Sequence, residues 1–204
     1  MGKSIDTQRS EHRQKRRQHS EELLAANSEK LANNVMELEE YKSAVHVAAY
    51  IAILGEISVE PIISQGCVDG KTFYLPVLRD ESMFFAPWQP GDVLLKKGFG
   101  LLEPDCSESN WIKPQQLDLV LTPLVVFDKK CNRIGQGGGF YDRTFEFTRH
   151  TQTPQLIGVA HDNQREPALD PQPWDIPLDA IVTEITVYRH TGICLLYTSD
   201  AADE

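Results

Sequence analysis

A set of short apolar runs constrains this chain more than any other feature. Val45–Ile53 (VHVAAYIAI) is rich in Val, Ala and Ile and has the length of a strand suited to a sheet covered on both faces. Thr72–Leu78, Leu117–Thr122 (stopped by Pro123), Gln155–Ala160 and Ala180–Thr183 read as further strands. Between them lie helical patterns. Leu24, Leu31, Val35 and Leu38 recur at helical spacing behind Ser20, Glu21 and Glu22, an N-cap with acids in the first turn, so the first 40 residues read as helix. Ser58 opens a short helix to about Gln65 with Pro61 in its first turn, and Phe140–His150 reads as another. Met83–Pro114, rich in Pro, Gly and aromatics, reads as a long functional loop region. Strands alternating with helices predict right-handed crossovers and a three-layer α/β/α fold with a mostly parallel, Rossmann-like sheet.

The length, 204 residues, suits one domain, expected over residues 1–194 with a helical, basic arm at 1–40. The last ten residues, LLYTSDAADE, read as a non-native or disordered tail and are set aside. With 20 Lys+Arg against 30 Asp+Glu the net charge is −10, which argues against a nucleic-acid partner, since phosphate binding needs clustered cations. No apolar stretch approaches the roughly 20 residues that span a bilayer, so no membrane partner is expected. Four cysteines without a C-x-x-C pair argue against a disulfide framework or zinc knuckle, and the polar amino terminus lacks a signal peptide. A reduced, cytoplasmic protein acting as a monomer is expected. The charge is unevenly spread: residues 1–17 hold six cations and two anions. Arg9, Arg13 and Arg16 or Arg17 would share one helical face, which a solvated surface explains as well as a ligand does.

The chemistry concentrates in Asp118–Arg143, where an apolar strand leads to Arg133 and then to Gly135, Gly137, Gly138 and Gly139 ahead of a helix. Glycines there let backbone N–H groups face a ligand, and a glycine loop opening a helix favours an anion. A flexible turn has the same composition. No Gly-Lys-Ser/Thr follows, so this is not a Walker A loop, and the dinucleotide fingerprint fails at its third glycine. Asp142 in the first helical turn is an ordinary dipole partner, or else, beside a phosphate, it calls for an intervening cation such as Mg²⁺. Asp179, at the start of the DAIVTE segment, is a candidate second carboxylate or a strand-edge charge.

The stretch FDKKCNRIGQGGGFYDR resembles the signature of the 5-formyltetrahydrofolate cyclo-ligase (methenyltetrahydrofolate synthetase) family, bacterial type. YIAILGEISVEPII, FYLPVL, FGLLEP, IGVAHDNQ and WDIPLDAIVTE resemble its other elements in family order, over about residues 9–190. The resemblance implies an enzyme that uses ATP to convert 5-formyltetrahydrofolate to 5,10-methenyltetrahydrofolate, releasing ADP and phosphate by way of a phosphorylated formyl group. It implies Mg²⁺ held by Asp142 and Asp179. It places ATP on Arg9 and on Arg133, Ile134, Gly135, Gln136, Gly137, Gly138, Gly139, Phe140 and Tyr141, with Arg133 and Tyr141 as catalytic residues. Folate would meet Ile51, Glu56, Phe99 and the segment from Gln136 to Phe140. Two positions depart from the pattern: Ile5 stands where the family has a basic residue four before Arg9, and Gly138 where some members have Lys.

Other candidates read as structural. His161-Asp162 are adjacent on an extended segment and point to opposite faces, a poor relay, and Glu103-Pro104 reads as a loop stop. Trp88, Trp111 and Trp174 read as packing. The rival to the enzyme is a non-catalytic, nucleotide-binding regulatory α/β module using the same glycine loop. Ile5, and any failure of Asp179 to face Asp142, would favour it.

Overall fold

The computed structural model describes residues 4–97 and 101–190. Phe99, Cys194 and the tail at 195–204 lie outside the described residues. The amino-terminal helical region is three helices: α1 (Ile5–Arg16), α2 (Glu21–Met36) and α3 (Glu39–Ser43). The breaks follow from capping. Ser4 accepts from the Thr7 N–H at the start of α1, and Ser20 accepts from the Leu23 N–H at the start of α2. Then come β1 (His46–Ala48), α4 (Glu60–Val68, with Pro61 in its first turn), β2 (Thr72–Arg79), β3 (Ser82–Pro87) and a small hairpin of β4 (Leu94–Lys96) and β5 (Leu102–Pro104). After β6 (Leu119–Pro123), a second small hairpin of β7 (Val126–Phe127) and β8 (Arg133–Ile134) leads to α5 (Phe140–Thr144). The chain finishes through β9 (Gln155–Val159), β10 (Ala180–Val182) and β11 (Val187–Arg189).

The main sheet has seven strands in the order β11-β10-β9-β6-β1-β2-β3. The five inner strands are parallel, and the edges β3 and β11 are antiparallel, so the expected α/β architecture is present. Strand side chains alternate between two cores. Val47, Leu119, Leu121, Ile157 and Val182 pack with Leu31 and Val35 of α2 and Ile62 and Ile63 of α4. Ala48, Val120, Leu156 and Ile181 face the other way, against Phe85, Phe127 and Phe145. Strands buried on both faces are why their sequences read as near-continuous apolar runs. Cys67, Cys106 and Cys131 are free thiols. Among the described residues no helix is long and apolar enough to cross a membrane.

Two details position the site. From β1 the chain proceeds to β2 on one side, whereas β6, β9 and β10 build outward on the other, so the direction of winding reverses between β1 and β6. Crossovers leaving the carboxyl ends of those strands diverge and open a crevice. At the opposite, amino-terminal edge of the sheet, two aspartates tie neighbouring strands. The Asp118 carboxylate accepts from the Val45 and His46 N–H groups, and that of Asp179 accepts from the Leu156 N–H at 2.7 Å.

The apolar run Val45–Ile53 is a ladder strand only from His46 to Ala48. After Ala49 the chain leaves the sheet through Leu54 (φ 52°) and Gly55 (φ 78°) and becomes a wall of the crevice. Its apolar composition serves that wall as much as the sheet.

Candidate active site

The crevice at the β1/β6 reversal is a cavity of about 710 Å³. Tyr50, Ile51, Ile53 and Glu56 form the wall that follows β1, and Pro123 stands at the end of β6. The complete run from Arg133 to Asp142 lines the opposite side, and Ile5, Asp6 and Arg9 of α1 close the mouth. Every sequence-predicted binding residue within the described chain is therefore gathered here except Asp179.

Among the described residues, no hydrogen bond has the backbone N–H of Gly135, Gln136, Gly137, Gly138 or Gly139 as donor. Their carbonyls are a different matter. Gly135 O accepts from Arg9 Nε at 3.0 Å, Gln136 O from Arg13 Nη2 at 2.9 Å, and Gly138 O from Arg143 Nη1 at 3.0 Å. Three guanidinium groups thus grip the loop by its acceptors and leave five amides without a protein acceptor in residues that line the cavity, the makings of an anion cradle. Gly137 sits at φ 102°, a conformation that side chains disfavour. The helix behind the loop, α5, has only five residues, so the amides and arginines carry more of the attraction than a helix dipole does.

Arg133 is the cation at the cavity floor, its side chain only 5% exposed. Its Nη2 donates to Asp142 Oδ1 at 2.8 Å, while its buried Nε has no hydrogen-bond partner. A buried, unsatisfied guanidinium N–H beside five free amides is a donor set prepared for phosphate oxygens. The Arg133 guanidinium lies 6.0 Å from the centroid of the Tyr141 ring, whose hydroxyl burial pushes well above its usual pKa. Tyr141 is thus a neutral phenol, able to donate a hydrogen bond.

Glu56, 9% exposed, accepts from Gln136 Nε2 at 2.8 Å and from the Ile53 N–H, and lies 3.5 Å from Arg16 Nη2. Burial raises its pKa, and the charge of Arg16 opposes that rise. Burial correspondingly lowers the pKa of Arg16, with Glu56 opposing. Arg16, 2% exposed, also donates to the carbonyls of Leu54 and Leu124, so the turn carrying Glu56 is anchored from below.

The basic face of α1 is therefore docked, not solvated. Arg9 and Arg13 hold the glycine loop, and Arg16 holds the Glu56 turn. Only Arg9 of the three was assigned from the sequence; the shared helical face was the available signal for the others. Trp174 corrects its assignment to packing: it is 67% exposed and lines the cavity rim. Trp88 is partly buried against the core, Glu103 is buried under Arg79 and the Leu78 N–H, and His161 is buried with its Nδ1 3.2 Å from Asn27 Nδ2. Ile5 lines the mouth, so an apolar contact occupies the position where the resembled family has a cation.

The two carboxylates expected to share a metal do not meet. Asp142 lines the cavity, its Oδ1 shared between Arg133 and the Ile176 N–H at 3.2 Å. Asp179 is not on the cavity wall. Its carboxylate is used on Leu156 at the amino-terminal edge of the sheet, where burial raises its pKa. A residue preceding a parallel strand points its chemistry at the edge opposite the crevice. Among the described residues no group of three or more His, Cys, Asp or Glu side chains could hold a metal ion by itself. One carboxylate beside a phosphate cradle still fits Mg²⁺, which keeps waters and takes most of its protein contacts through one or two carboxylates and a nucleotide.

Comparison with known proteins assigns the family. The sequence profile of the 5-formyltetrahydrofolate cyclo-ligase family matches residues 3–184. The chain is 36% identical over 180 residues to the 5-formyltetrahydrofolate cyclo-ligase of Escherichia coli (strain K12), covering 87% of this chain and 98% of that protein. It is 35% identical over 153 residues to that of Haemophilus influenzae, covering 72% and 80%. Among solved structures, the 5,10-methenyltetrahydrofolate synthetase of Aquifex aeolicus superimposes with a TM-score of 0.81 at 30% identity, over 97% of this chain and 99% of that one.

Proposed function

Because the chain belongs to the 5-formyltetrahydrofolate cyclo-ligase family, we propose that its cavity brings ATP and 5-formyltetrahydrofolate together for ring closure to 5,10-methenyltetrahydrofolate, with release of ADP and phosphate. The protein is an ATP-dependent ligase. Asp179 does not face Asp142, which taken alone would favour a regulatory module, but the relatives matched along most of the chain are cyclo-ligases. The observation that carries the site assignment is the row of free amides from Gly135 to Gly139 beside the unsatisfied Nε of Arg133.

ATP lies along the loop, its phosphates on those amides and on Arg133, with Arg9 at the mouth. The folate lies against Ile51 and Glu56, its formyl group turned toward the loop, and Gln136 to Phe140 touch both substrates. A formamide oxygen is a poor leaving group, so it is converted into a good one. The formyl oxygen attacks the γ-phosphorus, the bond to the β-phosphate oxygen breaks, and ADP departs. The neighbouring folate amine then attacks the formyl carbon and loses its proton. The carbon–oxygen bond breaks, and phosphate leaves carrying the former formyl oxygen. Transfer of this kind depends on alignment and charge neutralisation more than on a strong base. Arg133 and the amides supply both, and Tyr141, as a neutral phenol, donates a hydrogen bond without adding negative charge. Asp142 is the carboxylate that would hold Mg²⁺ beside the ATP phosphates, where the ion's charge would offset theirs. The reading includes action as a monomer, and the cytoplasm, where folate cofactors and ATP are both at hand, is the proposed location.

The test is direct. Purified protein with 5-formyltetrahydrofolate and MgATP should generate the near-ultraviolet absorbance of the methenyl product, with one ADP per turnover. Binding of ATP without any absorbance change would overturn the catalytic reading in favour of a regulatory nucleotide-binding module.

A further inference from the structure

Gln136 is the one residue of the Gly135–Gly139 loop with a side chain, and that side chain is bonded at both its oxygen and its nitrogen. Its Oε1 accepts from Arg13 Nε at 3.1 Å and Arg13 Nη2 at 2.7 Å, while its Nε2 donates to Glu56 Oε1 at 2.8 Å. Glu56 in turn pairs with Arg16 at 3.5 Å, and Arg13 and Arg16 stand one turn apart on α1. The contacts close a ring: Arg13 to Gln136, Gln136 to Glu56, Glu56 to Arg16, and back along the helix. The ring joins the loop assigned to nucleotide phosphates to the acid assigned to folate.

From this geometry we infer that Gln136, held by Arg13, couples the two substrate subsites, so that each ligand tightens the other; the inference rests on the site assignment above. The sign follows from the loop's composition. Among the described residues its amides donate no hydrogen bonds, and four of its five positions are glycine, so it is held from outside, by Arg9, Arg13, Arg143 and the Gln136 side chain. Glycine segments lose the most conformational entropy on ordering. Phosphate oxygens bound to the amides order the loop, which fixes Gln136 and, through it, the Glu56 carboxylate. A ligand seated on Glu56 orders the same atoms from the other end. Whichever ligand binds second meets a loop already ordered, which is positive and reciprocal coupling. Arg13 and Gln136 are in this respect positioning residues, acting through the loop and through Glu56.

The experiment measures dissociation constants for 5-formyltetrahydrofolate and for a non-hydrolysable ATP analogue with Mg²⁺, each alone and each with the other saturating, by calorimetry. The expected result in the parent is a tightening of about 10-fold, equal in both directions, within the range usual for coupled sites. Gln136→Ala should bring the ratio below about 2-fold, and Arg13→Ala, which cuts the ring at its more exposed end, should do the same; thermal unfolding of each variant establishes that it is folded. Independent binding in the parent overturns the inference. So does a parent-like ratio in either folded variant, which would assign the coupling to direct contact between the two ligands. Failure of the parent to bind one of the ligands at all would instead overturn the assignment of that subsite.

Discussion

Replacing Gly55 by alanine should break the anchoring of the folate wall, and its cost can be worked from the structure. Gly55 lies at φ 78°, and a Cβ built on it would stand 2.5 Å from the Arg16 carbonyl oxygen and 3.0 Å from its carbonyl carbon. Both obstacles are backbone, so relief requires the end of α1 to move away from the turn that carries Glu56. The left-handed conformation alone costs an alanine about 1–2 kcal/mol. Overpacking against a fixed neighbour adds about 1–3 kcal/mol, for a total of about 2–5 kcal/mol. Gly70 provides the control: it has φ 84° but nothing within 4 Å of a built Cβ, so Gly70→Ala bears only the conformational term, about 1–2 kcal/mol. Urea denaturation of the two variants measures the difference, and at about 2–4 °C per kcal/mol for a chain of this size a thermal scan should resolve it too. Gly55→Ala should also raise KM for 5-formyltetrahydrofolate, because Arg16 is displaced from Glu56, whereas Gly70→Ala should not. Equal stability losses in the two variants would refute the steric argument, and an unchanged folate KM in Gly55→Ala would refute its link to the site.

Three further outcomes are expected. Asp142→Asn removes the charge beside Arg133 and should lower kcat by about 100-fold or more while raising the Mg²⁺ concentration required, as loss of a preorganised electrostatic partner does; parent-like rates would remove Asp142 from the site. Asp179→Ala should leave Mg²⁺ dependence unchanged and lower stability by about 1–3 kcal/mol, because the Leu156 N–H loses its acceptor; a changed Mg²⁺ requirement would restore Asp179 as a ligand. His161, buried beside Asn27, has its pKa pushed down from 6.5 to about 4 by burial, with the neighbouring His19 contributing. Because the folded value lies below the unfolded one, its contribution is present above pH 6.5 and lost as pH falls toward 4. It amounts to at most about 3 kcal/mol. Urea midpoints measured across that window should fall less steeply in His161→Gln than in the parent, and identical slopes would contradict the assignment.

The sequence disclosed the inner sheet because its strands are buried on both faces, which leaves an apolar signature. It did not disclose β3 or β11: β3 (SMFFAP) ends in Pro87 inside a stretch whose Pro, Gly and aromatics read as loop, and β11 (VYR) has only three residues, none of them buried. It overstated β1, since Tyr50 to Ile53 are apolar for the cavity and the core, not for a ladder. At the site, the glycine segment announced itself through composition, and Glu56 and Ile51 through family resemblance. Arg13 and Arg16 were visible only as a face of like charge, because their partners, the Gln136 carbonyl and the buried Glu56, lie 123 and 40 positions along the chain. Asp142 and Asp179 look alike as sequence, yet the glycine loop and α5 carry the first to the crevice, while a place just ahead of β10 puts the second at the opposite edge.

The grip of α1 on the glycine loop has a consequence for how the protein is made. Arg9 and the Gly135 carbonyl it holds are separated by 126 positions. At a synthesis rate of about 5–20 residues per second, α1 leaves the ribosome roughly 6–25 s before its partner exists. During that interval the nascent helix can meet the Leu54–Glu56 turn that Arg16 holds, but not the glycine loop. The face it will turn to the loop carries Arg9 and Arg13, beside His12, whose Nε2 lies 2.8 Å from Glu166 Oε1, so waiting exposes charge and imidazole there. Building this contact from guanidinium groups lets an early segment remain soluble until the late one arrives to be held.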